Sequence, residues 1–583
     1  MEEAKVGNNL EEIREKRKEW EERVLKPSLE RFAFKESPTK FYTPADIPDF
    51  DFLDKVGFPG RYPFTAGTYA TYPYIPAPRR GVQVAPGLRR ASTYSGYGTP
   101  EDCRDYYKEM QKRGQRSGPN LALDLPTQCG YDSDNPVVRG EAGKTGVAID
   151  TLRDFEVLFE PFQGEMDLDR IATNITINAP ANILMAMYFA LAEKRGISLD
   201  KLVATPQNDI LKEFIARGTY IFPPRPSMRM MRDSIVFFTK YCPRINITSI
   251  GGYHMREAGA TREQDLGWSM AILEAYLQEG VNAGLEVDSF VPRFSVNAFG
   301  GDMEFFQEIA FQRAARRMWA KIIKEKFGAK NERSMLLRQS LMYAHMGYYN
   351  CAKQRPLNNL TRSVVGGMAS ALCGGPPACY PPYDEALGLG WSLEASQLSE
   401  DASRILQYEA KLTAVSDPLA GSYYVEHLTD EIEEAGWKEL EKVESMGGIV
   451  AAIENGYVQR ELAKGAYERQ KKLGSGELLR VGVNCFVGES EIEVEINRSV
   501  PYPYDPKRRE EAEEKQIRNL KEVKGKRDNG AVARLLGELK EKAKKEDENL
   551  IPHFIECAKA YVTEEEMCDV LREVFGEYQG GTF

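Results

Sequence analysis

The sequence predicts an α/β chain built on a (β/α)8 TIM barrel, with an N-terminal extension and a C-terminal helical region. Three observations predict it. Between Ser92 and Gly375 short apolar runs alternate with long amphipathic stretches. The runs number eight, which is the strand count of such a barrel. Polar residues gather where the strands would end: Asp124, then Gln207, Asn208 and Asp209, then Tyr253 and His254, then Asn297. Barrel enzymes carry their chemistry on that rim. A doubly wound open sheet would show the same alternation, but no glycine fingerprint follows the first strand.

The expected elements run in order. Residues 1–57 read as a charged helix followed by a tether rich in Pro and Asp, SPTKFYTPADIPDF. Composition leaves a solvated tail and a partner-wrapping arm equally open. Residues 58–417 hold the barrel, with strands expected at 92–97, 120–125, 171–178, 201–205, 245–250, 292–299, 334–342 and 370–375. The helices between them have legible starts. Thr99 caps a helix with Pro100 at its first position, and Glu101 and Asp102 face the positive end of its dipole. Thr261 and Gln264 have capping-box spacing. Residues 418–583 turn helical and charged, as in LTDEIEEAGWKELEKVESMGG, and read as solvated helices outside the core.

Bulk chemistry narrows the class. The chain has 583 residues, 42% hydrophobic and 28% charged, which suits a water-soluble protein with a large core. Its net charge of −11 argues against nucleic acid, because phosphate backbones need a concentrated positive surface. Nine scattered cysteines form no CxxC pair and read as reduced thiols, so the expected location is cytoplasmic. No stretch has the apolar length of a membrane span or the form of a signal peptide.

The residues alone allow a limited chemical reading. His254, in SIGGYHMREAGA, stands at the end of an expected strand, where it could donate a proton or a hydrogen bond to a carbonyl; a satisfied core histidine is the competing explanation. Arg217 follows another strand, where a guanidinium could grip a carboxylate in bidentate fashion or simply lie on a helix surface. The four histidines are far apart, with no metal-ligand spacing, so no metal site is expected. No GxSxG elbow or GKS/T phosphate loop occurs. Residue chemistry therefore stops at a barrel enzyme with an anionic substrate.

Longer motifs carry the reading further. GYDSDNPVVRGEAGKTGVAID (130–150), QNDILKEFIARGTYIFPPRPSM (207–228), GYHMREAGA (252–260), PRFSV (292–296), AARRMWAKI (314–322) and YDEALGL (383–389) resemble the large subunit of the methylmalonyl-CoA mutase family, over roughly Phe58 to Val483. The resemblance implies a barrel that encloses an acyl-CoA thioester and an adenosylcobalamin shared with a small cobalamin-binding subunit, since the chain has no DxHxxG motif for the lower cobalt ligand. A heterodimer or heterotetramer is the implied assembly. By the same resemblance His254 hydrogen-bonds the thioester carbonyl, Tyr94 lies beside the substrate and helps drive off the adenosyl group, and Arg217 holds a free carboxylate. Tyr69, Tyr72, Thr205, Gln207, Asn246, Tyr253, Arg293 and Ser295 fall where the family binds the thioester and CoA tail. Leu123, Thr145, Ala216, Glu257, His345, Glu385 and Gly388 fall where it meets the corrin or adenosyl group.

The chain departs from the family pattern in several places. In the CoA-entry segment Tyr72 replaces a methionine and Ser92 an arginine, with Arg79, Arg80, Arg89 and Arg90 as possible substitutes. Leu123 replaces a phenylalanine, and His345 with Met346 replaces a glycine-tryptophan pair. Two aromatic groups are thus trimmed while Arg217 stays, which implies methylmalonyl-CoA/succinyl-CoA or a larger alkyl- or aryl-substituted relative. Isobutyryl- and hydroxyisobutyryl-type substrates would leave Arg217 without a partner. A catalytically silent structural homologue is the alternative of another class.

Overall fold

The computed structural model describes residues 10–31, 35–37, 40–70, 94–112, 118–339, 350–375, 379, 382–387, 393–488 and 506–580. Among these residues six short strands are all parallel: β1 (Tyr94–Ser95), β2 (Asn120–Ala122), β3 (Thr173–Thr176), β4 (Ala204–Pro206), β5 (Thr248–Gly251) and β6 (Phe294–Ala298). β1 to β4 form one sheet in chain order, and β5 pairs with β6. Backbone hydrogen bonds from Asn246 to Ala204 (2.9 Å) and from Ser249 to Gln207 (2.8 Å) carry the ladder from β4 to β5. Beyond β6, Val296 N–H donates to the Arg338 carbonyl at 2.8 Å and bridges Gln339 in parallel. Seven parallel segments therefore follow one another in chain order.

The expected closed barrel is not found among the described residues. The run expected as the eighth strand, at 370–375, is instead the end of the helix Asn358–Leu372 and its exit turn. A short apolar run cannot by itself distinguish a buried strand from a buried helix end. Here Ala369 and Cys373 pack against Ile309 and Val425, and Gly374, at φ +92°, terminates the helix in the left-handed region. The run at 334–342 likewise begins as a helix, Glu332–Met335, before the chain extends. Elsewhere the expected strands shrink to two to five residues, because the chain soon leaves the ladder for a turn or helix.

The two faces of this sheet differ in kind. Leu121, Ile175, Ala204 and Ile247 are buried. Their sequence neighbours Asn120, Asn174, Thr176, Thr205 and Asn246 are polar and half-buried. Residues in register on parallel strands share a face, and Asn120 pairs with Asn174 and Asn174 with Thr205. Ordinary barrels fill their interior with bulky branched side chains. This chain lines the corresponding face with amides and hydroxyls.

Caps form as expected: the Thr261 hydroxyl accepts from Gln264 N–H at 3.3 Å while Gln264 reaches back to Thr261 N–H at 2.9 Å. The C-terminal region differs from expectation. Its helix Ile551–Lys559 packs on Ala181–Lys194, and Ile551, Phe554, Cys557, Met567 and Leu571 join the main apolar cluster. The segment ANILMAMYFALAEK is apolar on nearly all sides because it lies between the sheet and these later helices. By contrast Leu10–Arg31 buries no residue. All nine cysteines are unpaired thiols. Among the described residues no helix is long and apolar enough to cross a membrane.

Candidate active site

The chain leaves β4 through Asn208, held at φ +46°, and enters Ile210–Lys212 followed by one π-helical turn, Glu213–Arg217. Gly218 closes that turn at φ +86°, donating its N–H to the Glu213 carbonyl at 2.9 Å. The wide turn places Arg217 beside Glu213, whose carboxylate is fully buried. Glu213 accepts from Lys212 Nζ (2.5 Å), Asn178 Nδ2 (2.7 Å), Thr219 N (3.1 Å), Thr219 Oγ1 (2.6 Å) and Arg217 Nη1 (3.2 Å). Burial alone would raise its pKa, but Lys212 and Arg217 outweigh it and hold the carboxyl below the usual range. Lys212 also donates to Gln207 Oε1 at 2.9 Å, and burial lowers its own pKa.

A second turn faces this one. After β5 the chain passes through Gly251 and Gly252 into the helix Tyr253–Ala258. A Cβ at Gly252 would lie 2.1 Å from Asp265 Oδ1, so only glycine fits. His254 is thus in the first turn of a helix rather than in the strand, with Nδ1 3.3 Å from the Gly251 carbonyl. Tyr253 lies against it, ring centroids 3.9 Å apart. The π-helical turn packs directly on this helix. Asp209 ties the two: Oδ2 accepts from Gly251 N–H (2.8 Å), Oδ1 from the Tyr276 hydroxyl (2.8 Å), and its own N–H donates to Asn178 (2.9 Å). Burial pushes the Asp209 carboxyl up to about 6, with Lys212 opposing. Glu257, one turn beyond His254, is pushed by burial up to about 7, with Arg469 opposing. Arg256 is bonded to Asp302 and to the Ala260 carbonyl.

A second polar group stands at the opposite ends of the strands. Asn246 donates to Thr205 Oγ1 at 2.8 Å, and Arg338 donates to Asn246 Oδ1 (3.0 Å) and to the Pro292 carbonyl (2.6 Å). Arg293 immediately precedes β6, and Ser295 donates to the Thr248 carbonyl at 2.9 Å. Half-buried Tyr69 follows Thr68, which bonds the Leu337 carbonyl at 3.3 Å. The expected site residues therefore divide between the two ends of one polar face.

The residues expected on the cofactor side differ in exposure. Thr145 is exposed and Ala216 half-buried. Glu385 is half-buried in a 3-10 turn, Glu385–Leu387. Leu123 is fully buried and belongs to the main apolar cluster. Tyr72, His345, Gly388, Arg79, Arg80, Arg89 and Arg90 lie outside the described residues, as does the side chain of Tyr94. Sequence reasoning missed the roles of Gln128, Asn178, Glu213 and Arg338. For Arg338 a signal was present, a lone cation inside an apolar run. Among the described residues one carboxylate group, Asp132, Asp134 and Glu565, is close enough to hold an ion, and Lys524 Nζ already sits 2.9 Å from Asp132.

Residues 34–577 match the family model described as methylmalonyl-CoA mutase. The chain is 38% identical over 544 residues to the 2-hydroxyisobutanoyl-CoA mutase large subunit of Aquincola tertiaricarbonis, covering 92% of this chain and 90% of that one. It is 37% identical over 526 residues to the mitochondrial methylmalonyl-CoA mutase of Mus musculus, covering 89% of this chain and 66% of the mouse protein. Against the methylmalonyl-CoA mutase of Rhizobium meliloti (strain 1021) the identity is 36%, covering 92% and 71%.

Proposed function

Because the chain belongs to the methylmalonyl-CoA mutase family, we propose that it is the acyl-CoA-binding large subunit of an adenosylcobalamin-dependent isomerase, one that rearranges the carbon skeleton of a carboxylated acyl-CoA. The observation that carries this reading is the packing of the Arg217 turn against the His254 helix at one end of a polar-lined sheet face. Two polar recognition groups at opposite ends of that face suit a ligand that is long, amphiphilic and threaded along the strands. In this reading the seven parallel segments belong to a closed eight-stranded barrel spanning 58–417. Residues 1–57 form a partner-binding arm, and 418–583 a helical region leading toward the cobalamin-binding partner. The bacterial relative is named as a large subunit, which supports such a partner.

Each residue then has a physical task. Arg217 grips the free carboxylate, as a planar guanidinium does best. His254, anchored at Nδ1 by Gly251, presents its other edge to the thioester oxygen, where developing charge or spin makes a fixed donor most effective. Tyr253 backs the imidazole, and Tyr94 stands beside the acyl group. Thr205, Gln207, Asn246, Arg293 and Ser295, with Tyr69 and Tyr72, hold the thioester and the CoA arm. The cofactor fits the rim: small side chains at Thr145 and Ala216 leave room for a broad macrocycle, and Glu257, half-protonated near neutrality, can donate to or accept from its amide fringe. His345, Glu385 and Gly388 complete that side. When bound, the cofactor supplies an organic radical by homolysis of its cobalt–carbon bond. The polypeptide around it must exclude water, because an exposed primary radical is lost to side reactions.

A second reading takes a 2-hydroxyisobutyryl-type thioester, favoured by the bacterial relative. It would leave the Arg217 guanidinium facing a substrate without a carboxylate. The deciding experiment reconstitutes the chain with a cobalamin-binding small subunit and adenosylcobalamin, then records cobalamin spectra and products for methylmalonyl-CoA, larger substituted malonyl- and succinyl-CoAs, and 2-hydroxyisobutyryl-CoA. Cleavage and turnover with a carboxylated thioester are expected. Turnover confined to the hydroxyisobutyryl compound would replace the first reading with the second, and cleavage with none would point to a structural subunit.

A further inference from the structure

Gln128 meets Arg217 from across the rim. It ends the four-residue helix Leu125–Gln128 that follows β2, capped by Asp124, whose carboxylate accepts from Thr127 N–H at 3.0 Å. The side chain is buried, 6% exposed, and its amide is oriented without ambiguity. Nε2 donates to the Leu123 carbonyl at 2.6 Å, and a carbonyl can only accept. Oε1 is therefore the atom that faces Arg217, accepting from Nη1 at 2.6 Å. Thr219 Oγ1 and Glu213 Oε1, each at 3.2 Å, share the same Nη1 edge. A guanidinium held by three acceptors at one nitrogen has a fixed plane, and a bidentate grip on a carboxylate depends on that plane.

The chemistry of the three acceptors differs. Glu213 is negative, yet Lys212, Asn178 and Thr219 already hold its two oxygens at 2.5 to 3.1 Å, closer than Arg217 comes. The 2.6 Å partner of Arg217 is a neutral amide, which orients the cation without cancelling its charge. A carboxylate in the same place would orient Arg217 equally well but would compete with the anionic end of a substrate.

We propose that Gln128 is a positioning residue that sets the selectivity of Arg217 for carboxylated acyl-CoA thioesters. The proposal rests on the reading that Arg217 binds the substrate carboxylate. Its test uses the reconstituted holoenzyme with methylmalonyl-CoA as substrate and isobutyryl-CoA, which carries a methyl group in place of the carboxylate, as competitive inhibitor. Gln128→Met keeps the volume and removes both hydrogen bonds. It should raise KM for methylmalonyl-CoA about tenfold to a hundredfold, as expected for loosening one charge-assisted contact. Turnover number and the isobutyryl-CoA inhibition constant should stay within about threefold, a range below 1 kcal/mol. Gln128→Glu keeps the acceptor and adds charge, so it should weaken methylmalonyl-CoA at least as much while leaving isobutyryl-CoA unchanged. A parallel rise in both constants would mean a general loss of structure, and no change in either variant would mean that Gln128 does not act through Arg217; each overturns the proposal. If the unaltered enzyme turns over methylmalonyl-CoA yet binds both thioesters equally, the Arg217 reading fails, and this proposal with it.

Discussion

Two of the places where this molecule buries carboxylates resolve the burial in opposite ways. At the rim, Glu213 is fully enclosed but five donors converge on it, two of them cations, so it stays ionised. At the junction between the loops after β2 and the C-terminal helices, Asp132, Asp150, Asp154 and Glu564 are enclosed together. There Lys524 meets Asp132 at 2.9 Å, Gln516 donates to Asp150 at 2.7 Å, and neither oxygen of Glu564 has a hydrogen-bond partner among the described residues. Burial pushes Asp132 up to about 7 against the pull of Lys524, and burial with the neighbouring acids pushes Glu564 well above its ordinary value. The same side-chain chemistry thus gives a fixed charge in one place and a bound proton in the other. What differs is the balance of charge: two cations serve the single Glu213, whereas the junction gathers several acids whose charges raise one another.

The largest expected effect comes from removing a cation at the rim. Lys212→Met leaves Glu213 with one cation fewer in a dry site and should cost about 3–5 kcal/mol of stability, the usual result of breaking a buried pair. Urea denaturation measures it, and a loss below about 1 kcal/mol would show that the rim behaves like a surface ion pair after all. Next in size, His254→Ala should lower turnover about a hundredfold to a thousandfold with little change in unfolding midpoint, the cost typical of losing one donor to a developing charge. An unchanged rate would remove His254 from the chemistry.

The junction should respond to pH rather than to a lost cation. A carboxyl whose folded pKa stands above its unfolded one stabilises the fold only while protonated. That contribution is complete below about pH 4 and is lost as pH rises toward 7 and beyond. Hydrogen exchange in Ile551–Lys559 and Glu564–Phe575, expressed as protection relative to the intrinsic rate at each pH, should therefore show greater protection at pH 6 than at pH 8. Glu213 has the opposite sign, its contribution being lost only as pH falls below about 4. The smallest effect is expected of Glu564→Gln, a neutral isostere of the protonated acid. It should flatten the pH dependence of that exchange while leaving turnover unchanged; a steeper dependence would mean that Glu564 is ionised in the fold.

Several features were legible from residue order. Thr261 with Gln264, and Thr99 with Pro100, marked real helix starts, because capping depends on neighbours within one turn. The alternation of apolar runs and amphipathic stretches announced parallel strands joined by helices, and His254 and Arg217 stood out as rim residues. Other features depended on contacts that the chain makes only after folding. Residues 370–375 are helical because a neighbouring helix offers a face for Ala369 and Cys373. The charged C-terminal stretches hide a narrow apolar stripe, and Ile551, Phe554 and Cys557 show their purpose only against Ala181–Lys194. Gln128 and Arg217 are 89 residues apart, and no local pattern connects an amide to a guanidinium at that distance.

The sequence by itself determined the family, the alternating α/β order, the helix starts and the residue types available at the rim, since each of these resides in a local run or motif. Tertiary structure decided which acids are charged, which amide holds the key guanidinium, and where the later helices are buried. Those outcomes depend on distances between distant segments, and electrostatic and packing energies change over a few ångströms that sequence separation does not specify.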